Sequence, residues 1–304
     1  MYKMLIEILG EKNVYLNEPL KKHSTFRIGG NADCLVTPNT NSQLVNLFKF
    51  INAKNIPYIV IGNGSNLLFS DNGFRGIVVK IGNEMSEITH YDYEDGIIIK
   101  ASAGALLSKL ANYALDLGLT GLEFAAGIPG SVGGAILMNA GAYGGEISQV
   151  LKSSEYFDAK DLVCGTKEFS KHAFGYRHSS YEEDGHIILS GEFYLKYGNK
   201  SEIYDKMKEL NTKRVEKQPL NLPSAGSTFK RPEGFFAGKL IEDAGLKGFR
   251  IGDAMVSDKH CGFVVNVGNA TCEDVLNVIE YIKNKVFEQN RVVLETEIKI
   301  IGEA

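Results

Sequence analysis

A chain of 304 residues, 44 % apolar and 23 % charged, has room for about two domains, or three small ones, with buried cores, as an ordinary folded soluble protein does. A formal net charge of −4 offers no basic field for nucleic acid or an anionic membrane surface. No apolar run reaches the roughly 18 to 20 residues that a membrane span needs, and the four cysteines (Cys34, Cys164, Cys261, Cys272) form no CxxC pair, the pattern of reduced thiols in a cytoplasmic protein.

Residues 1–13 read as an amphipathic first helix rather than a signal peptide, because Glu7 interrupts the apolar stretch and no small-residue cleavage site follows. Leu44, Leu47, Phe48 and Ile51 predict a helix over 42–53, followed by a short buried strand at 57–61 that runs into Gly62. Apolar runs at 76–81 and 96–101 predict two more strands, and Leu106, Leu107, Leu110, Ala114 and Leu117 a helix over 105–117. Between 118 and 145 nine of 28 positions are glycine, a density that costs conformational entropy and therefore needs a reason. Strand character returns at 187–195, and the polar stretch 197–200 is the expected domain boundary. Ile203, Met207 and Leu210 then outline a helix. Another opens at Thr271, paired with Asp274 in a capping-box pattern, and carries the stripe Val275, Val278, Ile279, Ile282 and Val286. The last expected element is a strand over 292–301 with Val292, Leu294, Ile298 and Ile300 on one face and Glu295, Glu297 and Lys299 on the other. Without a regular βαβ rhythm the expected class is α+β.

Five segments carry candidate chemistry. GNGSNLLF (62–69) follows a strand, and its glycines allow amides to turn inward as an anion nest. The third glycine of a dinucleotide fingerprint and the Lys-Ser/Thr of a P-loop are both missing, so a tight turn explains the segment equally well. GIPGSVGGAILMNAGAYGGE (127–146) offers a second run of amides, stiffened by Pro129. Two such loops suit the two phosphates of a pyrophosphate, against the alternative of close packing beneath a helix. FGYRHSS holds Arg177, PSAGSTFK holds Ser227 without a nucleophile-elbow motif, and LETEIKIIG holds Glu297. On the residues alone a solvated charge or surface ion pair, a common Gly-Ser turn and a solvated polar strand face are the default readings of these three, ahead of catalysis. The six histidines show no metal-binding spacing, and His260 is expected to be structural.

Taken in order, these segments resemble the UDP-N-acetylenolpyruvoylglucosamine reductase family, the flavin enzymes of peptidoglycan precursor synthesis. The matching stretches are STFRIGGNAD (24–33), GNGSNLL (62–68), GLEFAAGIPGSVGGAILMNAGAYGGE (121–146), YRHSS (176–180), KQPLNLPSAGSTFKRPEG (217–234), FAGKLIEDAGLKG (236–248), KHCGFVVN (259–266) and EIKIIG (297–302). The resemblance implies an FAD-binding half of the vanillyl-alcohol-oxidase (PCMH) type in two subdomains, 1–82 and 83–198, and an α+β substrate-binding domain, 199–304. It implies noncovalent FAD held by Gly62, Asn63, Gly64, Ser65, Asn66 and Leu67, and by Gly127, Ile128, Pro129, Gly130, Ser131, Gly133 and Gly134. Thr25, Arg27 and Gly29 would belong to the same half. NADPH would be the hydride donor and UDP-N-acetylglucosamine enolpyruvate the substrate, with a cytoplasmic location and no need for an oligomer, a nucleic acid or a membrane.

Arg177 and Glu297 would stabilise the dianionic enolate-like species formed after hydride transfer, and Ser227 would protonate it. Tyr176, Arg214, Lys217 and Lys299 would bind substrate, with Gln218 near substrate or cofactor. Lys299 stands where relatives often carry arginine, which loses bidentate geometry. Only 50 positions separate Arg177 from Ser227, so the chain resembles the shorter subclass, which lacks an inserted loop over the substrate. Two other readings remain: a different flavin oxidase of the same fold, which would leave Ser227 and Glu297 idle, and a nucleotide-binding protein without catalysis.

Overall fold

The structure, a computed structural model, describes residues 1–302 and divides into two compact units. The first comprises Met1–Tyr15, Cys34–Asn63 and Ile77–Arg214, and the second Leu16–Asp33, Gly64–Gly76 and Val215–Ala304. The units interleave along the chain, whereas the expected subdomains were contiguous. The chain crosses the division inside strands Val14–Pro19, Asn31–Val36 and Phe74–Lys80, in the loop after Asn63, and near the end of helix Lys200–Lys217. The stretch 197–200 is thus interior to the first unit. The following helix buries Ile203, Met207 and Leu210 in that unit's core, which carries the unit on to Arg214.

The first unit is built on an antiparallel sheet in the order Val163–Glu168, Leu151–Asp158, Ile187–Tyr197, Gly96–Ser102, Ile88–Tyr93, with Leu119–Thr120 pairing the end of the long strand. Helix Asn41–Lys54 forms where the spacing predicts. Thr40 Oγ1 accepts the Gln43 N–H at 3.1 Å, Asn55 ends the helix in the left-handed region, and Leu44, Leu47, Phe48 and Ile51 face the core. Strand Tyr58–Ile61 pairs in parallel with residues 77–80 and delivers the chain to Gly62. Helix Tyr2–Leu9 buries only Leu5 and Leu9, as an amphipathic helix should.

In the second unit helix Cys272–Asn290 packs the predicted stripe, all five residues at most 3 % exposed, each contributing roughly 1.5–3 kcal/mol of burial. Both halves of the Thr271–Asp274 capping box form. The Asp71 carboxylate also accepts the N–H groups of Cys272 and Glu273 at 2.9 and 3.1 Å, where the helix dipole favours negative charge. A three-stranded antiparallel sheet (Arg250–Ile251, Ala254–Val256, Val264–Asn266) lies in the same unit.

The expected strand over 292–301 is much shorter. Only Lys299–Ile301 is a strand, parallel to Leu67–Phe69, with an isolated bridge between Thr296 and Phe229. The segment turns to meet two different partners, so a two-residue alternation does not hold along it. Leu294 and Ile298 are buried, whereas Ile300 is 42 % exposed.

Candidate active site

In the first unit the strand ending at Ile61 brings the start of the 62–69 segment against the glycine-rich stretch. Asn63 Nδ2 donates to the Pro129 carbonyl at 2.5 Å, and a Cβ on Gly62 would fall 2.2 Å from Ser131 Oγ. Ser131 is buried and caps helix Val132–Leu137, accepting the Gly134 N–H at 3.4 Å. A Cβ on Gly133 would lie 2.9 Å from that of Ala103, so this helix begins in close contact with the core, while Gly134 faces solvent. Close packing thus accounts for Gly133, while the Gly134 carbonyl accepts the Met138 N–H and the Gly130 carbonyl the Leu107 N–H. Ile128 anchors the loop, donating its N–H to the Ala125 carbonyl at 3.0 Å. Arg214 lies over Gly127, whose Cβ would sit 3.2 Å from a guanidinium nitrogen. Burial holds the Arg214 guanidinium below its ordinary value, with Tyr143 opposing that effect. A half-buried cation over a loop of amides suits an anionic ligand.

Arg177 occupies the tip of a tight turn closed by reciprocal backbone bonds between Gly175 and His178, at 3.1 and 3.3 Å. Its backbone is left-handed, with φ +56°, its Nη2 donates to the Gly141 carbonyl at 3.1 Å, and its guanidinium lies 5.0 Å from the Tyr176 ring centroid. The guanidinium therefore reaches the end of the glycine-rich stretch. Tyr176 is half exposed beside it.

In the second unit the segment after Gly226 pairs with residues before the last strand. Thr228 donates its N–H to the Gly262 carbonyl at 2.8 Å and accepts the Glu297 N–H at 2.8 Å, and Lys230 donates to the Glu295 carbonyl at 2.9 Å. Ser227 and Glu297 thus sit on neighbouring backbones, both half-buried. Asn66 ties in the remainder of the 62–69 segment. Its Nδ2 donates to the Glu297 carbonyl at 3.1 Å, and its own carbonyl accepts the Lys299 N–H at 2.9 Å. Leu67 pairs with Lys299 in the parallel ladder. Gly64 is left-handed, accepts the Thr25 N–H at 3.2 Å, and would place a Cβ 1.9 Å from the His23 carbonyl oxygen. Ser65 lies half-buried in the turn that follows.

Thr25 Oγ1 donates to the Ser224 carbonyl at 2.7 Å. Thr25, Arg27 and Gly29 therefore fall in the unit of Ser227, not in the unit of the 127–134 loop. Lys217 is exposed at the last position of its helix, and Gln218, with Ser257 and Lys259, lines an open cavity of about 740 Å³. His260 plays the expected structural part, its Nδ1 accepting the Gly262 N–H at 3.1 Å, with burial lowering its pKa. No cluster of three potential metal ligands exists among the described residues.

Sequence reasoning missed a buried polar group beneath the Arg177 turn. Ser154 Oγ lies 2.7 Å from both His172 Nε2 and Tyr181 Oη, and His172 stacks on Phe174. Ser179, fully buried, donates to the Leu137 carbonyl at 2.7 Å. Ser154, His172, Ser179 and Tyr181 are scattered between residues 154 and 181 without a periodic signal, so nothing in the chain announces this group.

The family model for an FAD-binding domain matches residues 32–164, and that for the C-terminal domain of UDP-N-acetylenolpyruvoylglucosamine reductase matches 218–301. The reductase of that name from Caldanaerobacter subterraneus subsp. tengcongensis is 52 % identical over 98 % of this chain and 97 % of its own length. That from Clostridium tetani is 49 % identical over 98 % of this chain and 95 % of its own. The crystal structure of the reductase from Thermus caldophilus superposes with a TM-score of 0.78 at 38 % identity, covering 94 % of this chain and 97 % of that one.

Proposed function

The chain belongs to the UDP-N-acetylenolpyruvoylglucosamine reductase family, and from that premise we propose that it is an FAD-dependent oxidoreductase of peptidoglycan precursor synthesis. It reduces the enolpyruvyl ether of UDP-N-acetylglucosamine enolpyruvate to UDP-N-acetylmuramate with NADPH. No helix among the described residues is long and apolar enough to cross a membrane, and we place the reaction in the cytoplasm with small-molecule partners only.

The glycine loops fit the cofactor. Gly62 gives way to Ser131 Oγ, leaving the backbone around 62–66 and 130–131 outside any helix or strand, with N–H groups suited to pyrophosphate oxygens. Gly62, Asn63, Gly64, Ser65, Asn66 and Leu67, and 127–134, hold the dinucleotide noncovalently in this reading. FAD bound there would supply the hydride chemistry, from NADPH to C3 of the enolpyruvyl group.

The residues of the chain manage the charge that results. Negative charge on C2 spreads into the substrate carboxylate, and a guanidinium, permanently charged and forked, suits that group at Arg177. Its bond to Gly141 and its place over Tyr176 hold the side chain in advance, so little reorganisation is spent in the transition state. Glu297 donates a hydrogen bond from its carboxyl to the same dianion. Ser227 passes its hydroxyl proton to C2. The C2–H bond forms as the O–H bond breaks, and solvent then reprotonates the serine. A hydroxyl is a weak acid, and it suffices here because the acceptor is a strong base. Tyr176, Arg214, Lys217 and Lys299 bind the substrate, Lys299 as a point charge rather than a fork.

The observation that carries this reading is the pairing of the Ser227–Thr228 segment with Glu297 through the Glu297 N–H to Thr228 carbonyl bond. A flavin oxidase without these roles has no use for it. The test is an anaerobic spectrum of the flavin-loaded protein. NADPH should bleach the flavin band and the enol ether should restore it. In Ser227→Ala bleaching should persist while restoration slows by orders of magnitude. Restoration only by oxygen would replace the reductase with an oxidase, and equal slowing of both half-reactions would remove Ser227 as the acid.

A further inference from the structure

Asn139 lies two residues beyond helix Val132–Leu137 and is 1 % exposed. Its φ of +42° is in the left-handed region, which asparagine enters more readily than other residues bearing a Cβ. Both ends of its amide are used. Nδ2 donates to the Gly175 carbonyl at 3.0 Å, and Oδ1 accepts the Ser148 N–H at 2.9 Å. Gly175 opens the four-residue turn whose tip carries Tyr176 and Arg177, and Ser179, just past the turn, is fixed to the Leu137 carbonyl. Arg177 is itself left-handed and reaches the Gly141 carbonyl, two residues after Asn139. The turn is thus clamped on both sides to one short stretch, 137–141, and the asparagine amide is its entry-side clamp.

We propose that Asn139 is a positioning residue for Arg177. Its amide fixes the Gly175 carbonyl and with it the peptide plane leading into Tyr176, so that the guanidinium stands ready for the substrate carboxylate. The inference rests on the assignment of Arg177 made above. An amide is required because one planar group must donate to the turn and accept from Ser148. Aspartate, of the same shape, keeps the acceptor but turns a charged oxygen toward the Gly175 carbonyl.

The test compares Asn139→Asp, Arg177→Ala and the double variant, all flavin-loaded, by stopped-flow measurement of each half-reaction. In N139D flavin bleaching by NADPH should stay within about twofold, while reoxidation by the enolpyruvyl substrate falls by roughly 10- to 100-fold, the scale on which small misplacements act. The double variant should reoxidise no more slowly than Arg177→Ala, because the amide has no other route to the reaction. Should N139D fail to fold, Asn139→Gly keeps the left-handed backbone without its strain and removes the amide, and the same outcomes are expected. A further slowing of the double variant below Arg177→Ala, or equal slowing of both half-reactions in N139D, would overturn the proposal. Normal reoxidation in Arg177→Ala would instead overturn the assignment of Arg177, and this inference would fall with it.

Discussion

Replacing Gly64 by alanine separates two costs that glycines in turns usually combine. At φ +66° a side chain in the left-handed region costs roughly 1–2 kcal/mol. The new Cβ would also stand 1.9 Å from the His23 carbonyl oxygen, less than any non-bonded contact allows, and His23 is backbone that cannot swing aside. Overlap of this kind costs typically 1–3 kcal/mol or more, so the total is about 2–5 kcal/mol. Gly144 is the control. It too is left-handed, at φ +89°, but its Cβ would meet nothing within 4 Å, and Gly144→Ala should lose only about 1–2 kcal/mol. Urea denaturation of both variants measures the difference, expected at about 1–3 kcal/mol. Fluorescence titration with FAD should show Gly64→Ala weakened by about tenfold or more, each 1.4 kcal/mol being a factor of ten. Equal denaturation midpoints for the two variants, or wild-type FAD affinity in Gly64→Ala, would refute the claim that the His23 contact and the shape of this loop matter.

Two further outcomes are open to direct measurement. Burial holds the His172 imidazole below its ordinary value of 6.5. The unfolded chain therefore takes up a proton that the folded one refuses, and stability should fall as pH drops below about 6.5, levelling off under the folded value. Thermal denaturation between about pH 8 and about pH 5 should show a shallower acid loss for His172→Gln, and parallel curves would sink the idea. Asp71→Ala removes the carboxylate that accepts two first-turn N–H groups of helix Cys272–Asn290 and should cost about 1–2 kcal/mol, with flavin content unchanged. An unmoved urea midpoint would show that the capping box suffices alone.

Elements whose pattern is local were legible in the sequence. Helix Asn41–Lys54 and helix Cys272–Asn290 appear where spacing and caps predict, because a helix is written within a few turns of itself. The site segments stood out only through the family resemblance, and the structure ties Asn66 to Glu297 and the 227–230 stretch to 295–297. What the sequence withheld is long-range. The C-terminal strand read as ten residues because alternation continues through it, yet the chain bends at Thr296 to leave Phe229 and join Leu67–Phe69. The interleaving of the units was equally hidden, since nothing local marks residues 16–33 and 64–76 as partners of the C-terminal third. Nor could residue type alone say that the Arg177 tip would be left-handed, in a turn flanked by hydrogen bonds from Asn139 to Gly175, Ser179 to Leu137 and Arg177 to Gly141.

The parallel pairing of Lys299–Ile301 with Leu67–Phe69 sets an order of events during synthesis. Asn66 and Glu297 are 231 positions apart, and at about 5–20 residues per second the ribosome needs roughly 10–50 s to make the partner after the loop. Throughout that interval Leu68 and Phe69, fully buried in the finished protein, have no strand to cover them. The first unit, complete at Arg214, can close meanwhile, whereas the second waits for the last strand. A nascent chain of this protein therefore carries Leu67–Phe69 without its parallel partner until residues 299–301 have been made.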